Sequence, residues 1–143
     1  MAWVVDTCLL LDVLDDDPVF GETSAQCLDR HQPEGLTICP VTLIEIAPAF
    51  LGDWHRAQEF LSQLGVDYQD DWQFADTRAA FVAWHRFVEA KRAGQTARRP
   101  VADIQIGAFA LQRQGLLTRN GSDFKRWFPS LNPSSSVLLH FCS

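Results

Sequence analysis

A chain of 143 residues fits a single domain and is long enough to bury a sizeable core. Hydrophobic residues make up 47% and charged residues 21%, an ordinary globular balance, and no apolar run approaches the roughly 20 residues that span a bilayer. The formal net charge of −6 argues against a protein that holds nucleic acid mainly through a large positive field. It leaves room for one that uses metal ions over an acidic pocket, and it suits a basic protein partner. The N-terminus lacks the basic start and apolar stretch of a secretory signal, so a cytoplasmic location is the expectation.

In chain order, the first strand is expected in "WVV", residues 3–5, and it ends on a carboxylate, Asp6. Helices follow over 9–14 and, after Pro18, 20–28. A second strand lies in "LTIC", 36–39, followed by helices over 41–51 and 54–64. Pro48, inside the first of these, removes a backbone donor and is expected to kink it, shifting Glu45. "VDYQ", from Val66, is a weaker strand. The long helix over 74–93 places Phe74, Phe81, Trp84 and Val88 near one stripe and ends on Lys91, Arg92 and Gly94. Another helix spans 102–114, with Ile104, Ala108 and Leu111 on one face and Gly115 as its stop. Strands in "LLT", 116–118, and "VLLHF" complete the chain. Strands alternating with helices predict an α/β domain over 1–143, with a mainly parallel sheet covered on both faces. The four cysteines, Cys8, Cys27, Cys39 and Cys142, show no C-x-x-C pair, so buried thiols are expected rather than a disulfide framework or a zinc site.

Four carboxylates fall just past strands or at helix starts. Asp6 ends the first strand, Glu45 follows the second, Asp103 opens "ADIQIGAFAL", and Asp123 follows "LLTRN". Each has a structural explanation. Thr42 and Glu45 match the S/T-x-x-E capping box, while Asp6, Asp103 and Asp123 suit helix N-termini. As a set they are harder to account for. Two like charges about 4 Å apart repel by about 4 kcal/mol at an effective dielectric near 20, unless a cation offsets them. Carboxylate oxygens suit Mg²⁺ or Mn²⁺, and such ions activate water and stabilise charge developing on a phosphodiester.

"VVDTCLLLDVL", then Glu45 after the second strand, then "VADIQIGAFALQRQGLLTRNGSDF", resembles the motif series of PIN-domain ribonucleases. The nearest type is the VapC-like toxins of toxin–antitoxin pairs. The resemblance runs the length of the chain, and residues 101–124 are its most specific part. It implies a three-layer α/β/α fold, an Mg²⁺ or Mn²⁺ site that hydrolyses RNA, a homodimer and a cognate antitoxin. It matches Asp6, Glu45 and Asp103 to the family's core acids, and Thr7 and Thr118 to hydroxyl residues beside them. Asn120 stands where the family often has an acid, so Asp123 is taken as the fourth acid and Asn120 as a neutral ligand or water holder.

Arg98 and Arg99 are candidate phosphate grips, with Arg119 and Arg126 of similar standing, against the alternative of solvated loops. Asp12 is read as an exposed helix position, and Trp84 as core. Two other functions remain open on the residues alone. One is a structure-specific DNA nuclease, since no group is placed to read a ribose 2′-OH. The other is a degenerate PIN-like module that binds without catalysis.

Overall fold

The computed structural model describes residues 1–94 and 100–131, together with the backbone of 138–141. Trp3–Val5 forms β1, buried throughout, and because side chains alternate across a strand it feeds two cores. Trp3 and Val5 pack on one face of the sheet and Val4 on the other; Leu117 and Leu116 of β4 (Gly115–Thr118) divide in the same way. The remaining strands are β2 (Leu36–Thr37), β3 (Val66–Asp67) and β5 (Leu138–Phe141). All pairings are parallel, in the order β3-β2-β1-β4-β5.

A sheet apolar on both faces needs cover twice. Helices α1 (Thr7–Leu14), α2 (Gly21–His31) and α4 (Trp54–Gln63) cover one face with Leu9, Leu10, Leu28 and Leu61. Helices α5 (Phe74–Arg92), α6 (Val101–Leu111) and α7 (Gly121–Trp127) cover the other with Phe87, Ile104, Phe109 and Phe124. This is the three-layer α/β/α arrangement expected. Among the described residues no helix is long and apolar enough to cross a membrane.

The segment after β2 departs from expectation. The sequence predicts one kinked helix over 41–51, but α3 (Pro40–Glu45) stops at Glu45 and a 3-10 turn, Ala47–Phe50, follows. Pro48 cannot supply the N–H that would continue the α-helical ladder. Glu45 is therefore the last residue of its helix, free to face what lies beyond the sheet. Cysteine usage is also mixed. Cys8 and Cys39 are free thiols, but Cys27 is disulfide-bonded.

Two contacts fix the α5–α6 layer. Arg113, just past the end of α6, donates to Asp76 in the first turn of α5 at 3.1 Å and to Asp70 at 2.9 Å. The start of α5 thus lies beside the end of α6, and the two helices run antiparallel. Farther along α6, Gly107 meets the ring of Phe128, whose Cε2 would lie 2.2 Å from an added Cβ. Gly107→Ala is expected to destabilise the protein by up to about 2 kcal/mol. Overpacking costs about 1–3 kcal/mol, set against the roughly 1 kcal/mol of helix propensity gained. Denaturant unfolding checks this; stability equal to the parent's would show that the ring has room to move.

Candidate active site

The order of the strands locates a crevice. The chain leaves β1 for β2 on one side, and β4 takes the place on the other side, so the direction of winding reverses between β1 and β4. In open parallel sheets, ligands bind beyond the carboxyl ends of strands at such a point. Asp6 is the first residue after β1 and Thr118 the last of β4.

Asp6 occupies the N-cap position of α1, but its side chain makes no capping hydrogen bond. Only 5% exposed, its carboxylate accepts from the Thr118 hydroxyl at 2.7 Å and from the Cys8 thiol at 3.3 Å. The Asn120 backbone N–H donates to Thr118 Oγ1 at 3.0 Å, which fixes that hydroxyl. Thr7 does the equivalent for Glu45, donating to Oε1 at 2.7 Å, and its hydroxyl is 3.0 Å from that of Thr42. The capping box therefore does not form. The N-cap of α3 is Cys39, Thr42 lies inside the helix, and Glu45 turns to α1 instead of its own backbone.

Burial pushes the Asp6 carboxyl above its usual range. The hydrogen bonds from Thr118 and Cys8 pull it partly back, while the negative charge of Glu45 pushes it further up. None of these groups is a cation. The Cys8 thiol is pushed up to about 12 by burial first and the Asp6 charge second. It thus stays protonated as a donor to the carboxylate, and the acceptors the site presents are carboxylate oxygens.

Asp103 is half-buried in the first turn of α6, a helix packed against both β1 and α3. Asp123 is exposed in the first turn of α7, and Asn120 is exposed at its N-cap. Both helices begin at the Asp6 end of the sheet, because α7 leaves the tip of β4 and α6 returns the chain to its start. Asp6 and Glu45 are the acids coupled directly; among the described residues no three of His, Cys, Asp and Glu gather into a ready-made metal cage. Arg98 and Arg99 lie outside the described residues.

Two readings of the sequence are corrected here. Asp12 is not an exposed helix position but 3% exposed, and Arg119, 28% exposed, is engaged by it rather than standing in a solvated loop. Arg119 binds Asp12 through Nε at 2.9 Å and Nη2 at 3.1 Å, while Ser24 donates to the same carboxylate at 2.8 Å. The signal was available, since Asp12 lies three residues after fully buried Leu9 and so on the same helical stripe. The pair ties α1 and α2 to the residue next to Thr118, and so supports the geometry around Asp6. Trp84, read as core, is half-buried and packs against the core through Phe87, with ring centroids 5.1 Å apart.

No protein-family model matches the chain, and no curated protein matches it either. Its structure is similar to a chain of VapBC2 from Rickettsia felis, crystallised bound to a DNA fragment from their promoter. The TM-score is 0.61 and the identity 17%, over 99% of this chain and 98% of that one. At that identity the likeness establishes the fold, which is PIN-like.

Proposed function

We propose that this chain is an Mg²⁺- or Mn²⁺-dependent endoribonuclease, the toxin of a toxin–antitoxin pair acting in the cytoplasm. The observation that carries the proposal is Asp6. A carboxylate is buried at the switch point of the sheet beside a second one, with no cation among the described groups that shift it. Such a placement costs free energy unless a cation is bound there, and an all-oxygen acceptor set suits a hard divalent ion.

Asp6, Glu45, Asp103 and Asp123 would hold the ion. The ion, when bound, supplies activation of water and stabilisation of charge on the scissile phosphate. The chain's own contribution is orientation. Thr118, held by the Asn120 N–H, aims the Asp6 carboxylate, and Thr7 aims Glu45. The PIN-like fold, shared with a chain of VapBC2, favours the same reading and a cognate antitoxin as partner; a homodimer is proposed with it on the sequence resemblance alone.

Purified protein is expected to cut single-stranded or looped RNA with Mg²⁺ or Mn²⁺, to stop when EDTA removes the metal, and to resume when it is restored. Cleavage at full rate in EDTA, or none with either ion, would overturn the proposal.

A further inference from the structure

The charges of the chain are unevenly distributed along it. Residues 1–76, which include β1–β3 and α1–α4, hold 15 of the 18 acids and 2 of the 12 basic residues. Residues 77–143 hold 10 basic residues against 3 acids. Within the helices themselves, the layer of α1, α2 and α4 carries four acids against two basic residues, while the layer of α5, α6 and α7 carries six basic residues against four acids, a tilt that the net charge of −6 conceals. Such asymmetry points to a polyanionic partner on one side of the molecule.

On the basic layer lies an open groove of about 490 Å³, lined by Arg86, Glu89, Ala90, Ala93, Arg126 and Trp127. Its two arginines are held in place. Arg86 donates through Nη1 to the Trp127 carbonyl at 3.0 Å, an anchor that uses one of its five N–H donors. The Arg126 guanidinium lies 4.8 Å from the centre of the Trp127 ring. Glu89 is paired with His85 at 3.0 Å. Lys91 and Arg92, both exposed, extend the positive surface past the groove to the end of α5.

The groove also lies close to the site. Arg113 pairs with Asp76 where α6 ends and α5 begins, and the helices are antiparallel. Counting back from Arg113 along α6 to Asp103 covers the same length of chain as counting forward from Asp76 along α5 to Arg86. Arg86 is therefore roughly level with Asp103. α7, which carries Arg126, starts at the tip of β4; at about 1.5 Å per residue Arg126 is only about 8 Å along it.

We propose that this groove holds the phosphates of single-stranded RNA beside the acids, with Arg86 and Arg126 as the phosphate-binding residues. It rests on the nuclease reading for its substrate and supplies what the acidic site lacks. Carboxylates repel a phosphate backbone, so affinity has to come from a neighbouring cationic surface, and guanidinium groups bind phosphate oxygens in pairs.

The test is binding of a fluorescein-labelled single-stranded oligouridine, read by anisotropy in EDTA so that no cleavage occurs. Arg86→Glu with Arg126→Glu is expected to weaken binding at least tenfold. It should also lower the slope of log affinity against log salt by about 1.4, the value for two phosphate contacts on a single strand. Lys91→Glu with Arg92→Glu, which disturbs no anchored side chain, should weaken binding in the same direction. Arg30→Glu with Arg56→Glu makes the same charge change on the acidic layer and should leave binding within twofold. Parental affinity in a folded Arg86→Glu, Arg126→Glu variant overturns the proposal, as does equal loss in the acidic-layer control. If the parent instead binds no oligouridine but self-associates through this surface, its partner is the acidic layer of a second copy and the RNA proposal fails. Binding through the groove by a chain that never cuts RNA would leave this inference standing and remove the nuclease reading.

Discussion

Asp6→Asn is expected to lower RNA cleavage about 100-fold or more while making the folded protein more stable at neutral pH. The loss follows from removing a charged metal-binding oxygen, since even disturbing the groups that orient such ligands costs about 10- to 100-fold. The gain follows from linkage. Burial raises the carboxyl pKa of folded Asp6, so the folded state binds this proton more tightly than the unfolded state does. As pH rises through the ordinary carboxylate range to the folded value, stability falls, and above it the ionised group weighs fully against folding. Asparagine carries no charge and can still accept from Thr118. The metal-free variant should therefore melt above the parent at pH 7, and the difference should shrink towards acid pH. Initial cleavage rates and thermal unfolding at two pH values measure both effects. A variant that cuts at the parental rate rules out Asp6 as a metal ligand, and one that loses stability as well as activity assigns Asp6 a structural role instead.

The largest loss of stability is expected at Arg113, far from the acids. Its guanidinium reaches both oxygens of Asp76 at 3.1 and 3.3 Å, both oxygens of Asp70 at 2.9 and 3.1 Å, and the carbonyls of Phe109 and Asp71 at 2.8 and 3.2 Å. It also lies 3.3 Å over the Phe109 ring. The Asp76 side chain is fully buried and completes the capping box of α5, so without Arg113 its charge would be left in the interior. Removing one partner of a buried pair costs about 3–5 kcal/mol. Arg113→Met, which keeps apolar bulk, should therefore lower the thermal midpoint by roughly 10–20 °C. Acid should reduce the difference. Burial opposes the charge of Asp70, but hydrogen bonds from Arg113 and Thr37 outweigh it and hold its carboxyl below the usual 3.8. That stabilisation is present above the unfolded value and is lost as pH falls through the folded one. The parent thus gives it up in acid, and the variant has little of it to lose. Unfolding curves from pH 7 to pH 3 follow the convergence; a midpoint within a few degrees of the parent's at pH 7 would show that Asp76 finds another partner.

Much of the fold was legible because burial leaves a local trace. Trp3, Val4 and Val5 form a run too short for a helix and apolar on both faces, which is the pattern of a central parallel strand. The same local evidence misled where a motif had two uses. Thr42 and Glu45 have the spacing of a capping box, yet Pro40 starts the helix two residues before Thr42, and Glu45 is drawn to Thr7 on another element. Asp12 looked exposed because it is charged; its partner Arg119 is 107 residues away and is brought to it only by the pairing of β1 with β4.

The sequence by itself determined the alternation of strands and helices, the carboxylate at the tip of β1 and the concentration of acids in its first half, since each depends on residues near one another in the chain. The tertiary structure alone decided that Thr118 orients Asp6 across 112 residues of sequence, that Thr7 holds Glu45, and that α1, α2 and α4 cover one face of the sheet and α5, α6 and α7 the other. The physical reason is the order of the strands: hydrogen bonding places β4 rather than β3 beside β1, and no local periodicity encodes which strand becomes the neighbour of which.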